Sequence, residues 1–385
     1  MDRRKFLATS GLAIAAPALS TGVSASAHAQ SGDGLFRNIN FLSDGLGLDP
    51  REYVSRLQDI VATGSLAADN YSRGGAVGKL EESFARRLGK PAAMFVPTGT
   101  LANHLAVRRL AGNDRRVLVQ AESHLYNDSG DGAQALSGLN LVPLSPGQAT
   151  MRLDEVQSWL ERSRGGRVRN DVGVISIETP VRRRDHTMAD FDEMARISAH
   201  AREQGIRLHL DGARLFALPY HSGRPVQAYT ALFDTVYVSL WKHFNGAGGA
   251  ILAGSEAFID GLFNERRMFG GALPAAWSQI ALVEEYAQRF EVDYADSWRA
   301  ADDLIVRLQA SGRFKARKLP DGTSRFFLSV KGVAPQVLVD RARGREILLP
   351  APHPDTGELV LQVNPTLLRL PPAELAQRFL DSLAG

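Results

Sequence analysis

Six short runs of the chain are rich in aliphatic residues, several of them continuously apolar: 92–96, 117–120, 172–177, 207–211, 235–240 and 249–253. Strands without a polar face need cover on both sides, which a mainly parallel sheet wrapped in helices provides. The intervening segments offer that cover, with helical periodicity at 79–88, 100–110, 190–204 and 256–263. Strand and helix in alternation therefore predict an α/β domain on a mainly parallel sheet. From about Pro274 the pattern changes to long helices, short strands at 326–330 and 359–363, and a terminal helix after Pro371-Pro372. That predicts a smaller α+β domain. The expected boundaries are a signal segment at 1–29, an arm at 30–55, a large domain at 56–273 and a small domain at 274–385.

The 385 residues, 44% of them apolar, are enough for a large core. A formal charge of +3, from 45 basic and 42 acidic residues, makes no basic stripe and argues against nucleic acid as a partner. Cysteine is absent, which excludes a disulfide framework, a thiol nucleophile and cysteine-ligated zinc or iron–sulfur sites. No metal ligand set is expected.

The chain opens Asp2-Arg3-Arg4-Lys5-Phe6-Leu7, continues weakly apolar to Val23, and reaches Ala27-His28-Ala29 before Gln30. A charged start, a short apolar middle and a small-residue cut site describe an export signal, too short for a good membrane span. The paired arginines resemble the twin-arginine signal, which exports proteins already folded. The expected mature protein starts near Gln30 and is soluble and periplasmic, with no membrane contact. The signal holds one Asp and three basic residues, so its removal takes the formal charge from +3 to +1.

Four local elements could carry chemistry. In Leu208-His209-Leu210-Asp211-Gly212-Ala213-Arg214, Asp211 ends a buried strand, where ligands bind in open α/β sheets. Such a carboxylate could ligate a metal, cap a helix or face a protonated ring nitrogen. Thirty-one residues on, Lys242 ends the apolar strand Val238-Ser239-Leu240-Trp241. A desolvated lysine near a carboxylate can become a Schiff-base nucleophile, although a strand-end lysine is more often a solvated surface group. Pro97-Thr98-Gly99-Thr100 forms a strand-to-helix turn suited to phosphate or to plain capping. His124, in Glu122-Ser123-His124-Leu125-Tyr126, could stack on a planar cofactor or lie on the surface.

Lysine usage gives Lys242 its weight. The chain has 7 lysines and 38 arginines, and Lys242 is the one lysine between Pro91 and Phe314. Only an amine forms an imine, so lysine persists where guanidinium cannot substitute.

Together, in this order and spacing, the four elements resemble the threonine-aldolase and β-eliminating-lyase family of pyridoxal-phosphate enzymes. That family has the aspartate-aminotransferase-like, fold type I architecture. The resemblance runs from about Ser43 to the terminal helix, and it includes Gly78-Lys79-Leu80-Glu81 after Tyr71 and the run Arg266-Arg267-Met268-Phe269-Gly270-Gly271. It implies that Lys242 binds pyridoxal 5'-phosphate covalently, that Asp211 keeps the pyridine nitrogen protonated, and that His124 stacks on the ring and serves proton transfer. Thr98, Gly99 and Thr100 would hold the phosphate. Arg214 would lie beside the cofactor and reach the substrate carboxylate, with Ser43, Tyr71 and Gln362 also on the substrate side. Arg267 matches a phosphate-binding position supplied by a neighbouring subunit, so a homodimer or homotetramer with shared sites is expected.

The implied activity is cleavage of a β-hydroxy amino acid of the threonine or allo-threonine type to glycine and an aldehyde. Alternatives are β-elimination, racemisation or transamination with the same cofactor, or a non-catalytic binding protein that kept the fold. Departures cluster on the substrate side. The family's Glu-Asn-Thr-His-Asn segment is here Glu178-Thr179-Pro180-Val181-Arg182, with His186 out of register. Its Gly-Gly-Gly-Met-Arg-Gln run reads Gly270-Gly271-Ala272-Leu273-Pro274-Ala275, and Ser72-Arg73 replaces Gly-Glu after Tyr71. Gln362 stands where a carboxylate-binding arginine is usual, with Arg369 nearby.

Overall fold

The computed structural model describes residues 35–384; the export-signal reading of 1–29 lies outside them. From Phe36 onward the chain forms one compact unit.

Strand β1 (Ile39–Asn40) belongs to the arm. The central sheet has seven strands: β2 (Ala92–Val96), β3 (Arg116–Gln120), β4 (Asn140–Leu144), β5 (Val172–Glu178), β6 (Arg207–Asp211), β7 (Thr235–Ser239) and β8 (Ala250–Gly254). Their order is β2-β8-β7-β6-β5-β3-β4. The five from β4 to β7 are parallel, while β8 runs antiparallel to both β7 and β2. Every residue of β5, β7 and β8 is buried, which is why these runs lack a polar face. The expected mainly parallel α/β sheet is present.

Periodicity did not predict β4. It carries Pro143 and lies at the sheet edge, where a missing N–H costs little on the unpaired side. The helix Leu153–Gly165 was missed as well, although Val156 and Leu160 are buried at helical spacing.

Helix α1 (Pro50–Ala62) starts inside the expected arm, fixed by a capping box of Asp49 and Glu52 with Pro50 in its first turn. Helix α2 (Gly75–Arg87) buries Val77, Leu80 and Phe84, and Phe84 meets Phe216 and Phe244 edge-on. Helix α3 (Gly99–Ala111) follows β2, with the Thr98 hydroxyl accepting the Leu101 N–H as N-cap. Its inward face is apolar except for Asn103 and His104.

A 28-residue helix, Val283–Ala310, leads to a small antiparallel sheet of β9 (Phe314–Arg317), β10 (Arg325–Val330) and, beyond β11 (Ile347–Leu348), β12 (Leu359–Gln362). Strand β1 pairs in parallel with β11, and Phe41 packs against Phe326 and Phe379. The Gln362 N–H donates to the Phe41 carbonyl at 3.0 Å. These contacts lay the arm across the C-terminal segment and bring Ser43 and Asp44 to the carboxyl end of the large sheet.

Candidate active site

The parallel strands end together, so the residues that follow β3, β5, β6 and β7 converge on one face of the sheet. There Thr98, Gly99, Thr100, His124, Asp211, Arg214 and Lys242 line a single cavity of about 300 Å³, joined by Glu178 and Arg182. Ser43 lines an adjoining cavity of about 610 Å³ that shares Trp241 and Lys242 with the first. The remaining expected residues sit elsewhere. Tyr71 and Arg267 are exposed outside both cavities, with the Arg267 guanidinium 5.2 Å from the Tyr71 ring centre. Gln362 is buried and does not line the cavity wall. Arg369 donates to the Asn38 carbonyl at 2.7 Å, away from the site. His186 is buried with neither ring nitrogen hydrogen-bonded among the described residues, and buried Val181 occupies the family's histidine position.

Gly99 is demanded by packing. A Cβ there would sit 1.9 Å from the Tyr237 hydroxyl oxygen, and Tyr237 is buried on β7. The close approach lets the first turn of α3 open its backbone N–H groups to the cavity, a ready anion site.

Asp211 is 3% exposed. Its Oδ2 accepts from Asn103 Nδ2 at 2.6 Å and its Oδ1 from the Ala213 N–H at 3.1 Å. Behind it, Asn103 Oδ1 lies 2.8 Å from His209 Nε2, and His209 Nδ1 lies 2.8 Å from Thr235 Oγ1. Because the Asn103 amide donates to the carboxylate, its oxygen must accept, so His209 carries its proton on Nε2 and Nδ1 accepts from Thr235. Burial pushes His209 down to about 4, which keeps the ring neutral. Asp211 thus retains acceptor capacity while its orientation is locked.

Lys242 is 9% exposed and its ammonium lies 5.4 Å from the Trp241 ring centre. Burial, reinforced by the Arg214 charge, pushes the amine down to about 8, with Asp211 and Asp44 opposing. Glu178 caps the loop after β3: its Oε2 accepts the His124 N–H at 2.6 Å and its Oε1 the Arg182 N–H at 2.9 Å. Burial and the neighbouring Asp211 charge raise the Glu178 carboxyl. Burial also lowers His124, against the pull of Asp211, and His124 Nδ1 is buried with no hydrogen-bond partner among the described residues.

Arg214 already carries a carboxylate. Asp44 takes its Nε at 2.7 Å and its Nη2 at 2.8 Å, and Gln362 Nε2 adds a third donor to Asp44 Oδ1 at 3.1 Å. Arg325, directly opposite Gln362 in the strand register, donates to the Gln362 amide oxygen at 3.2 Å. Asp44, Asn103, Glu178, Arg182 and Arg325 were not among the expected site residues. For Asn103 a signal existed, as a polar residue on the apolar face of α3. For Asp44 there was none beyond its place after Ser43.

The β-eliminating lyase family model matches residues 54–318. The low specificity L-threonine aldolase of Saccharomyces cerevisiae is 29% identical over 270 residues, 68% of each chain. The low-specificity L-threonine aldolase of Eremothecium gossypii is 31% identical over 197 residues, 51% of each chain. These matches span between about half and two thirds of the curated relatives' lengths. Among solved structures, a Listeria monocytogenes EGD-E protein provisionally described as an L-allo-threonine aldolase superposes with a TM-score of 0.73 and 27% identity, covering 88% of this chain and 94% of its own.

Proposed function

The chain belongs to the β-eliminating lyase family, and from that premise we propose that it is a pyridoxal-phosphate lyase of the threonine-aldolase type, releasing glycine and an aldehyde from a β-hydroxy amino acid. The observation that carries this reading is one cavity bounded by the Thr98–Thr100 turn, His124, Asp211 and Lys242. The residues present fit the cofactor. A phosphate-sized anion is served by the α3 N-terminus, an oriented carboxylate waits at Asp211, and buried His124 Nδ1 has no hydrogen-bond partner among the described residues. When bound, pyridoxal phosphate supplies an electron sink for the charge that develops at Cα as a bond to it breaks.

The chain's own groups divide the remaining work. Lys242 Nζ, lowered towards neutrality, provides the covalent tether. Asp211 would keep the cofactor's ring nitrogen protonated, and the Asn103–His209–Thr235 series keeps that carboxylate aimed. His124, kept neutral by burial, can accept the β-hydroxyl proton as the Cα–Cβ bond opens. Arg214 retains donors beyond the fork that holds Asp44, which leaves it able to orient a substrate carboxylate.

Product identification tests the reading. Incubation with L-threonine, L-allo-threonine and serine should yield glycine with the matching aldehyde; pyruvate with ammonia would mark elimination instead. Freshly purified protein without bound cofactor would overturn the assignment.

We also propose a homodimer or homotetramer with shared sites, in which exposed Tyr71 and Arg267 face a second copy. A monomer by light scattering that turned over substrate would contradict it. Twin-arginine export to the periplasm, motivated by Arg3-Arg4 and the following segment, is likewise proposed. Fractionation that left the protein in the cytoplasm would refute it.

A further inference from the structure

We propose that the substrate of this site bears an anionic group on its side chain, and that Arg182 is the residue that reads it. The inference rests on the lyase reading above and narrows its substrate class.

Three arginines in succession, Arg182–Arg184, form a 3-10 turn just beyond the end of β5. Arg182 lines the Lys242 cavity together with His124, in a segment where the resembling family carries neutral histidine and asparagine side chains. Its side chain is 41% exposed, so it stands at the mouth rather than in the floor.

Two guanidinium groups converge on one carboxylate at this rim. Asp128 Oδ2 accepts from Arg182 Nη2 at 2.6 Å and from Arg183 Nε at 3.3 Å, while its Oδ1 accepts from Arg183 Nη2 at 2.9 Å. One carboxylate therefore serves two guanidinium groups. The acids of the cavity wall direct their hydrogen bonds to neutral donors and not to the Arg182 guanidinium. Glu178 spends its oxygens on the backbone N–H groups of His124 and Arg182, and Asp211 spends its own on Asn103 and Ala213. Asp185, next in the chain, pairs with Arg325.

The contrast with Arg214 sharpens the assignment. Arg214 is neutralised by Asp44 in a buried, two-toothed pair, whereas Arg182 shares with Arg183 the one acid it hydrogen-bonds among the described residues. A methyl side chain such as threonine's gains nothing from that shared guanidinium. A carboxylate or phosphate on the substrate side chain would complete it with charge-assisted hydrogen bonds, which are stronger than neutral ones. Selectivity among small substrates comes from such a difference in contacts between the preferred and the rejected side chain.

The test uses holoenzyme and an isosteric pair without a β-hydroxyl, L-aspartate and L-asparagine, titrated against the cofactor's visible absorbance. Aspartate should bind about tenfold more tightly, as expected for a charge-assisted contact at a partly open site. The preference should collapse in Arg182→Gln and survive in part in Arg182→Lys, with both variants folded by thermal melting. Equal affinity in the wild type, or a preference that persists in Arg182→Gln, overturns the inference. A parallel assay of glycine release from β-hydroxyaspartate and from threonine separates the two claims. Aspartate preference without glycine from either compound retains the acidic class and removes the aldol reading. Glycine from threonine without aspartate preference does the reverse.

Discussion

Asp44 and Arg214 form a two-toothed ion pair, Nε to Oδ1 at 2.7 Å and Nη2 to Oδ2 at 2.8 Å, with side chains 10% and 7% exposed respectively. The arginine expected to receive a substrate carboxylate thus holds an internal one. Packing of the arm against the C-terminal segment puts Asp44 there, and Gln362 supports it from the far side.

Removal of one partner from such a pair leaves the other charge buried and alone. Asp44→Ala should destabilise the fold by roughly 3–5 kcal/mol, read from the urea midpoint. Asp44→Asn, which still accepts one hydrogen bond, should cost less. Burial alone would raise the Asp44 carboxyl, but Arg214 overrides it and holds the group well below the usual carboxylate range. A carboxyl depressed in the folded state contributes stability above its unfolded pKa, and that contribution is lost as pH falls. The acid limb of the stability curve should therefore be shallower in Asp44→Asn than in wild type; identical limbs would refute the pairing.

The neutral amine of Lys242 is the form that bonds covalently. With the amine at about 8, the rate of pyridoxal-phosphate loading onto apoprotein should rise through pH 8 and level off above it. The gain from pH 7 to pH 9 should be about tenfold. A rate still climbing steeply at pH 10 would indicate an ordinary exposed lysine. Lys242→Arg should give no covalent absorbance band at any pH.

The series from Thr235 through His209 and Asn103 to Asp211 has one consistent proton arrangement. Nitrogen NMR should find His209 protonated at Nε2 and neutral from pH 5 upward, because burial keeps it near 4. Asn103→Ala removes a hydrogen bond to a charged group and should weaken cofactor binding by about ten- to a hundredfold. Unchanged affinity would mean that the amide only fills space.

At the phosphate turn the constraint is steric. Gly99→Ala would drive a methyl against the buried Tyr237 side chain, whose hydroxyl lies 1.9 Å from the ideal Cβ position. Overpacking of this kind costs about 1–3 kcal/mol. A lowered melting temperature together with poor cofactor retention is the expected result, and a neutral variant would show that the turn has slack.

Much of this architecture was legible along the chain. The strands 92–96 and 207–211 coincide with β2 and β6, and Asp211 ends β6 as expected, whereas β7 stops at Ser239 and Lys242 lies three residues beyond it. Periodicity fails at β4, where Pro143 and an exposed edge blur the apolar pattern, and at α1, where polar residues hide a well-capped helix.

The sequence by itself determined the α/β layering, the phosphate turn and the lone lysine, because periodicity, turn chemistry and amine reactivity are local properties. Only the tertiary structure decided who partners whom. Asp44 meets Arg214 across 170 positions, Asn103 meets Asp211 across 108, and Gln362 meets Asp44 across 318. Hydrogen bonds and ion pairs act over a few ångströms, and chain separation says nothing about which groups folding brings that close. Hence Arg214 reads along the chain as a substrate anchor, while in the fold it also holds Asp44 and keeps only its remaining donors for a substrate.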